Sequence, residues 1–200
     1  MIEHYYSKRP TSHPRLGLLR CRLRGGEFEF LTASSVFSHR RIDAGTRLLI
    51  EAMRLPGSGE ALDIGCGYGP IGIVAAKLNS GLEVWMTDVN ERAVALAKEN
   101  ARRNRVGNVR VLQGSLYEPV EDRAFDVILT NPPISAGLRR VVEPLIEGSV
   151  RHLKPGGSLQ VVVRTTKGGG SVKRLLERYL GGFEVVARKS GYRVLKAERS

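Results

Sequence analysis

The passage Leu62-Asp63-Ile64-Gly65-Cys66-Gly67-Tyr68-Gly69-Pro70-Ile71-Gly72 constrains this chain more than any other. A short apolar run opens into glycines at alternate positions, and a proline follows where a helix takes its first residue. Glycine permits the tight turn and lets the backbone approach a ligand with no Cβ in the way. A strand feeding such a turn into a helix is the opening unit of a parallel α/β sheet with a nucleotide-type ligand over the turn. The spacing leaves the ligand open, and a glycine turn without a ligand is the plainer alternative.

The rest of the chain keeps this grammar. Strands are expected at 61–64, 83–87, 109–112, 125–130 and 158–164. Helices are expected at 70–78, 91–103, 140–151 and 171–179, with Ala93, Val94, Ala97 and Ala101 on the inner side of the second. Pro155-Gly156-Gly157 reads as a turn, and Gly168-Gly169-Gly170 as a flexible junction. Residues 183–188 and 192–196, joined by Lys189-Ser190-Gly191, read as a closing antiparallel hairpin. The sum is a doubly wound α/β sheet with one antiparallel edge pair. Upstream, 16–24 and 27–31 form a hairpin about Gly25-Gly26, and Asp43 N-caps a helix over 45–53. Two hundred residues fit one domain, 1–200, with 1–58 as an N-terminal extension.

Composition excludes several classes. No run approaches the roughly 18 apolar residues of a membrane span, and the N-terminus lacks the apolar core of a secretion signal. Two cysteines and four histidines make neither a disulfide framework nor a metal site, which suits a cytoplasmic protein without a metal. The net charge of +12 is unevenly spread. Residues 1–60 carry ten Lys/Arg against six acids, 61–150 ten against eleven, and 151–200 twelve against three. Two basic ends around a neutral middle suit a polyanionic partner, RNA or DNA, although solubility alone is the bland explanation.

Two carboxylates flank the glycine turn. Asp63 closes the first strand, and Asp88 closes the second, where it can accept hydrogen bonds from both ribose hydroxyls, with Val89 beside it. Asp88 can equally cap the helix that follows, as can Asn90. Asn131-Pro132-Pro133-Ile134 follows the strand at 125–130 and so reaches the same sheet edge. The Asn131 side-chain carbonyl and the Pro132 backbone carbonyl can each accept an N–H of a substrate amino group. Pro132 and Pro133 fix φ and hold those carbonyls in place. Two such acceptors aim the nitrogen lone pair at an electrophile without a strong general base. An ordinary surface turn is the alternative reading of the prolines.

These motifs together resemble the small-domain methyltransferase family that includes the ribosomal small-subunit guanine-N2 methyltransferases. The resemblance extends through Thr32–Ser38, Ile42-Asp43-Ala44-Gly45-Thr46 and Gly191-Tyr192-Arg193-Val194-Leu195-Lys196. It implies a mostly parallel seven-stranded sheet and S-adenosyl-L-methionine as cofactor, held by Asp63, Gly65, Cys66, Gly67, Gly69, Asp88, Val89, Ser115, Leu116, Asn131 and Phe37. The start of the helix at 70–78 then lies near the cofactor carboxylate. It also implies that Phe37 and Ser38 close the cofactor pocket, and that Asn131, Pro132, Pro133 and Ile134 are catalytic. Three departures stand out. The best-known ribosomal enzymes carry two related domains, Ser115 stands where relatives often have Asp or Asn, and Leu138 stands where many have Lys.

The expected partner is RNA, an rRNA or a ribosomal subunit precursor, with Arg139, Arg140, Arg164, Lys167, Lys173, Arg174 and Arg193 as candidate phosphate contacts. The chain acts as a monomer or a homodimer. Adenine in tRNA or DNA and a protein glutamine amide present the same kind of amino group. Ile134 stands where adenine-modifying relatives have a stacking aromatic, leaving Phe37 or Tyr68 for that role. A small-molecule methyltransferase and a non-catalytic RNA-binding protein complete the alternatives.

Overall fold

The computed structural model describes residues 15–34, 36 and 41–200. Strands β1 (Leu16–Leu23) and β2 (Gly26–Ala33) pair antiparallel, and helix α1 (Ala44–Ala52) follows. The main body runs β3 (Gly59–Ile64), α2 (Pro70–Leu78), β4 (Leu82–Asp88), α3 (Glu91–Arg103), β5 (Val109–Gln113), β6 (Phe125–Thr130), α4 (Glu143–His152), β7 (Leu153–Arg164), α5 (Gly169–Leu180), β8 (Glu184–Lys189) and β9 (Tyr192–Glu198). Seven strands form one sheet in the order β5-β4-β3-β6-β7-β9-β8. All neighbours are parallel except β9, which runs antiparallel to both β7 and β8.

The strands are apolar on both faces because helices cover both. Ala61, Val127, Leu129, Val162 and Val194 join one core with α1, α2 and α3. Their chain neighbours Leu62, Ile128, Val161, Val163 and Leu195 join another with α4 and α5. Period-two alternation thus divides each strand between two cores. Fully burying each such Val, Leu or Ile side chain contributes about 1.5–3 kcal/mol.

The N-terminal hairpin is held by polar contacts as well. Phe28 and Phe30 turn inward, and the edge of β2 faces α3. There Asn100 Oδ1 accepts from Leu31 N at 2.7 Å, and its amide donates to Leu31 O at 2.9 Å. Asn104 repeats this one helical turn on, accepting from Glu29 N at 3.1 Å and donating to Glu29 O at 2.7 Å. Two asparagines spaced i, i+4 therefore replace the missing strand at this edge, which satisfies backbone groups that burial would otherwise strand.

Several boundaries differ from the expected ones. The first hairpin turns at Arg24-Gly25, both at positive φ (48° and 80°), one residue before the glycine pair suggested. Residues 154–157 bulge within a longer β7 (Phe125 pairs Leu153, Val127 pairs Ser158) and pair with Arg199 through Gly156 N and Gly157 O. The helix expected from residue 140 begins as a π-helical turn, Leu138–Val142, and becomes α4 at Glu143, with Pro144 in its first turn. The three glycines at 168–170 are ordered. Gly168 is the left-handed N-cap of α5, and the next two form its first turn.

Candidate active site

Connections leave β3 and β6 in opposite directions, and a crevice opens at the carboxyl ends of these adjacent parallel strands. A cavity of about 640 Å³ fills it, in the range of small-molecule sites. Of the expected cofactor and catalytic residues, Gly65, Cys66, Gly67, Asp88, Val89, Ser115, Leu116, Asn131, Pro132, Pro133 and Ile134 all line this cavity. Asp63 and Gly69 do not. Gly69 caps α2 and faces the core, where a Cβ would stand 2.9 Å from Ile73 and 3.3 Å from Ala97. Phe37 and Ser38 lie outside the described residues.

The glycine turn leaves room for a ligand. Gly65 and Gly67 take φ of 70° and 58°, and nothing lies within 4 Å of the place a Cβ would take on either. That empty volume is what a closely approaching ligand requires. Asp88 braces the turn: Oδ2 accepts from Gly67 N at 2.8 Å and Oδ1 from Asn90 N at 2.8 Å. Asn90, not Asp88, caps α3, accepting from Arg92 N and Ala93 N. Asp63 lies beneath the turn with no solvent exposure. Its Oδ2 accepts from Gly72 N at 2.9 Å, while Oδ1 has no partner.

Burial raises the carboxyl of Asp63 to about 7, opposed by the Gly72 N–H and reinforced by the Asp88 charge. Asp88 is raised too, by burial, against the N–H groups of Asn90, Gly67 and Val89. Of the two only Asp88 lines the cavity, where its oxygens can accept from hydroxyl or ammonium donors such as those of S-adenosylmethionine. With the open glycine turn, the residues present fit that cofactor. Burial pushes the Cys66 thiol well up, with the charges of Asp88 and Asp63 adding, so it is a neutral wall and no nucleophile. Leu116 holds the left-handed conformation (φ 51°), a strained backbone for a bulky residue, and lines the cavity as apolar surface.

The Asn-Pro-Pro segment is rigid for local reasons. Thr130 Oγ1 donates to Ile64 O at 2.9 Å, tying the ends of β6 and β3 together. Pro133 takes φ −76° and ψ 80°, an inverse γ-turn in which Ile134 N donates to Pro132 O at 2.9 Å. The Pro132 carbonyl keeps a second lone pair. Asn131 Nδ2 donates to Thr46 Oγ1 at 2.9 Å and to Asp43 Oδ2 at 3.2 Å. Its Oδ1 has no protein partner among the described residues, and the residue lines the cavity.

Other lining residues were not visible as such in the sequence. Thr46 reaches in from α1, and Tyr192 from the start of β9. The Arg164 guanidinium lies over the Tyr192 ring at 6.0 Å. Tyr68 reaches the cavity, yet it is only 2% exposed and its ring meets Phe30 edge-on at 5.7 Å, so it offers no free face for stacking. The basic set divides. Arg140, Arg164 and Lys167 stand at the cavity, whereas Lys173 lies over Phe183, Arg174 bonds Ser171, and Arg193 pairs within the sheet.

Placing β9 between β7 and β8 separates this sheet from a dinucleotide-binding one, and together with the cavity defines a Rossmann-like methyltransferase fold. Residues 27–196 match the model of the methyltransferase small domain, and the chain belongs to that family. It is 42% identical to the uncharacterized protein YbxB of Bacillus subtilis over the full length of both. It is 34% identical to ribosomal RNA small subunit methyltransferase C of Photorhabdus laumondii, covering 84% of this chain and 49% of that protein. The T. thermophilus 16S rRNA N2 methyltransferase RsmC, solved with AdoMet and guanosine, superposes with a TM-score of 0.83 at 26% identity, over 96% of this chain and 52% of that one. The chain thus spans about half the length of these ribosomal relatives.

Proposed function

We propose that this chain transfers a methyl group from S-adenosylmethionine to an exocyclic amino nitrogen of an RNA base, guanine N2 in small-subunit rRNA. The observation that carries the reading is Asn131, which lines the cavity beside the open glycine turn and whose Oδ1 has no protein partner among the described residues. S-adenosylmethionine, when bound, supplies an electrophilic methyl group on sulfur. Asn131 Oδ1 and Pro132 O accept the two N–H groups of the amino function, which orients the nitrogen lone pair. The proton leaves to water once the nitrogen has gained positive charge, so no side chain here needs to act as a strong base. Tyr192 and Ile134 offer apolar surface to the base. Arg140, Arg164 and Lys167 place positive charge at the cavity for the RNA backbone. The names of the ribosomal relatives support rRNA over DNA or protein.

The test is transfer of labelled methyl to separated RNA, DNA and protein fractions, followed by nucleoside analysis, with Asn131→Ala as control. The reading predicts N2-methylguanosine in small-subunit rRNA and a loss of at least about 100-fold with Asn131→Ala, the scale of removing one transition-state contact. Label confined to protein or DNA would keep the amino chemistry and overturn the RNA assignment.

A further inference from the structure

The amide of Asn131 has two possible orientations, and only one presents an acceptor to the cavity. The neighbour that decides between them lies 88 residues away, in the N-terminal extension. Asp43 N-caps α1, its Oδ2 accepting from Gly45 N at 2.9 Å and Thr46 N at 3.1 Å, and the same oxygen accepts from Asn131 Nδ2. A carboxylate offers only acceptors. The flipped amide would set Asn131 Oδ1 against it, so the –NH2 end must face α1. Oγ1 of Thr46, a residue in the first turn of the same helix and only 4% exposed, takes the other bond. The first turn of α1 is itself fixed, because the Tyr192 ring lies where a Cβ on Gly45 would be, at 2.9 Å.

We infer that Asp43 and Thr46 are positioning residues that lock the Asn131 amide with its oxygen toward the cavity, making the site selective for groups that donate N–H. The lock discriminates against carbonyl groups, which would need a donor from Asn131. The N-terminal extension is on this view part of the chemistry. The inference rests on the amino-methylation reading above for its catalytic consequence, and on geometry alone for the lock.

The test uses the full chain with Asp43→Ser, Thr46→Val, their combination, and Asp43→Asn. Serine caps a helix about as well as aspartate, but its oxygen is too short to reach Asn131. Valine keeps the volume of Thr46 without the hydroxyl. Asparagine restores reach and an acceptor oxygen. The combined variant should lose about 100-fold in kcat on RNA, with KM and the affinity for S-adenosylhomocysteine within about twofold of wild type. Asp43→Asn should recover most of that loss. A kcat within threefold of wild type in the combined variant would overturn the proposal, as would a loss that merely tracks weaker cofactor binding.

A readout free of activity is the Asn131 side-chain –NH2 signal in protein labelled with 15N-asparagine, assigned by its disappearance in Asn131→Ala. Slow exchange in the wild type and fast exchange in the combined variant support the lock; equal exchange in both removes it. Should the wild type methylate no RNA while this contrast holds, the function reading fails and the lock stands.

Discussion

Asp63 sits at the end of β3, wholly buried, with one oxygen on the Gly72 N–H and the other without a partner. Its carboxyl is raised to about 7 in the fold, against roughly 4 in an unfolded chain. The folded state therefore holds this proton more tightly. Its contribution to stability is full below the unfolded value and is lost as pH rises through the folded one. In the protein without cofactor, stability should fall between pH 5 and pH 8 more steeply for wild type than for Asp63→Asn, by on the order of a few kcal/mol. The asparagine oxygen can still accept the Gly72 N–H, and Asp88, which titrates in the same direction, is common to both proteins. Melting curves at the two pH values decide the matter; parallel behaviour would mean that Asp63 is already ionised at pH 5. At this scale the sequence placed Asp63 correctly at the strand end and gave no sign that it lies beneath the glycine turn. Burial depth depends on what packs above a residue, here α2 with its Gly72 N–H, and not on the residue's own motif.

Among elements, the contact of the N-terminal hairpin with α3 is the most exposed to single changes. Asn100 is fully buried, bonds both backbone groups of Leu31, and also donates to the carbonyl of Tyr68 in the glycine turn. Asn100→Ala strands these groups and should cost about 2–3 kcal/mol in urea unfolding. Because Tyr68 O is among the partners, cofactor affinity should weaken as well, measurable by calorimetry; unchanged binding would show that the hairpin does not brace the turn. A second contact joins the start of α5 to the Asn-Pro-Pro segment. Gly168 sits at φ +77°, and a Cβ there would lie 2.6 Å from Cγ2 of Ile134. Gly168→Ala should lower kcat at least about tenfold by displacing residues 131–134, with left-handed strain of about 1 kcal/mol added to the fold. A variant that melts slightly lower yet keeps full kcat would mean that the segment is held from elsewhere. Hairpins were legible because Gly25-Gly26 and Lys189-Ser190-Gly191 carry turn chemistry in a few adjacent residues, although the first turn falls one residue earlier, at Arg24-Gly25. The partner of a hairpin's edge was not, since an asparagine on a helix reads locally as a solvent-facing polar residue.

For the whole molecule, the relevant quantity is the distribution of charge about the cavity. Arg140, Arg164 and Lys167 form no ion pair among the described residues, and they meet at one mouth from the π-helical turn, the end of β7 and the loop before α5. If each holds one phosphate, changing all three to glutamine should reduce the slope of log affinity against log salt for single-stranded RNA by about 2, at roughly 0.7 per contact. Fluorescence anisotropy over a salt series measures it, and an unchanged slope would place the RNA on another face.

Chain-local pattern was enough to fix the order of strands and helices, the glycine turn between β3 and α2, and Asn131-Pro132-Pro133 at the end of β6. Periodicity, glycine and proline act on the residues beside them, and a parallel doubly wound sheet brings every strand's carboxyl end to one edge. What only the tertiary structure decided is who stands opposite whom. Asp43 reaches Asn131 across 88 residues, Tyr192 closes a wall begun at Gly65, Asn100 and Asn104 stand in for a missing strand, and Asp63 is withdrawn from the ligand's reach. Those relations follow from how helices settle onto the two faces of the sheet, a balance of side-chain volumes and long-range hydrogen bonds that no local spacing encodes.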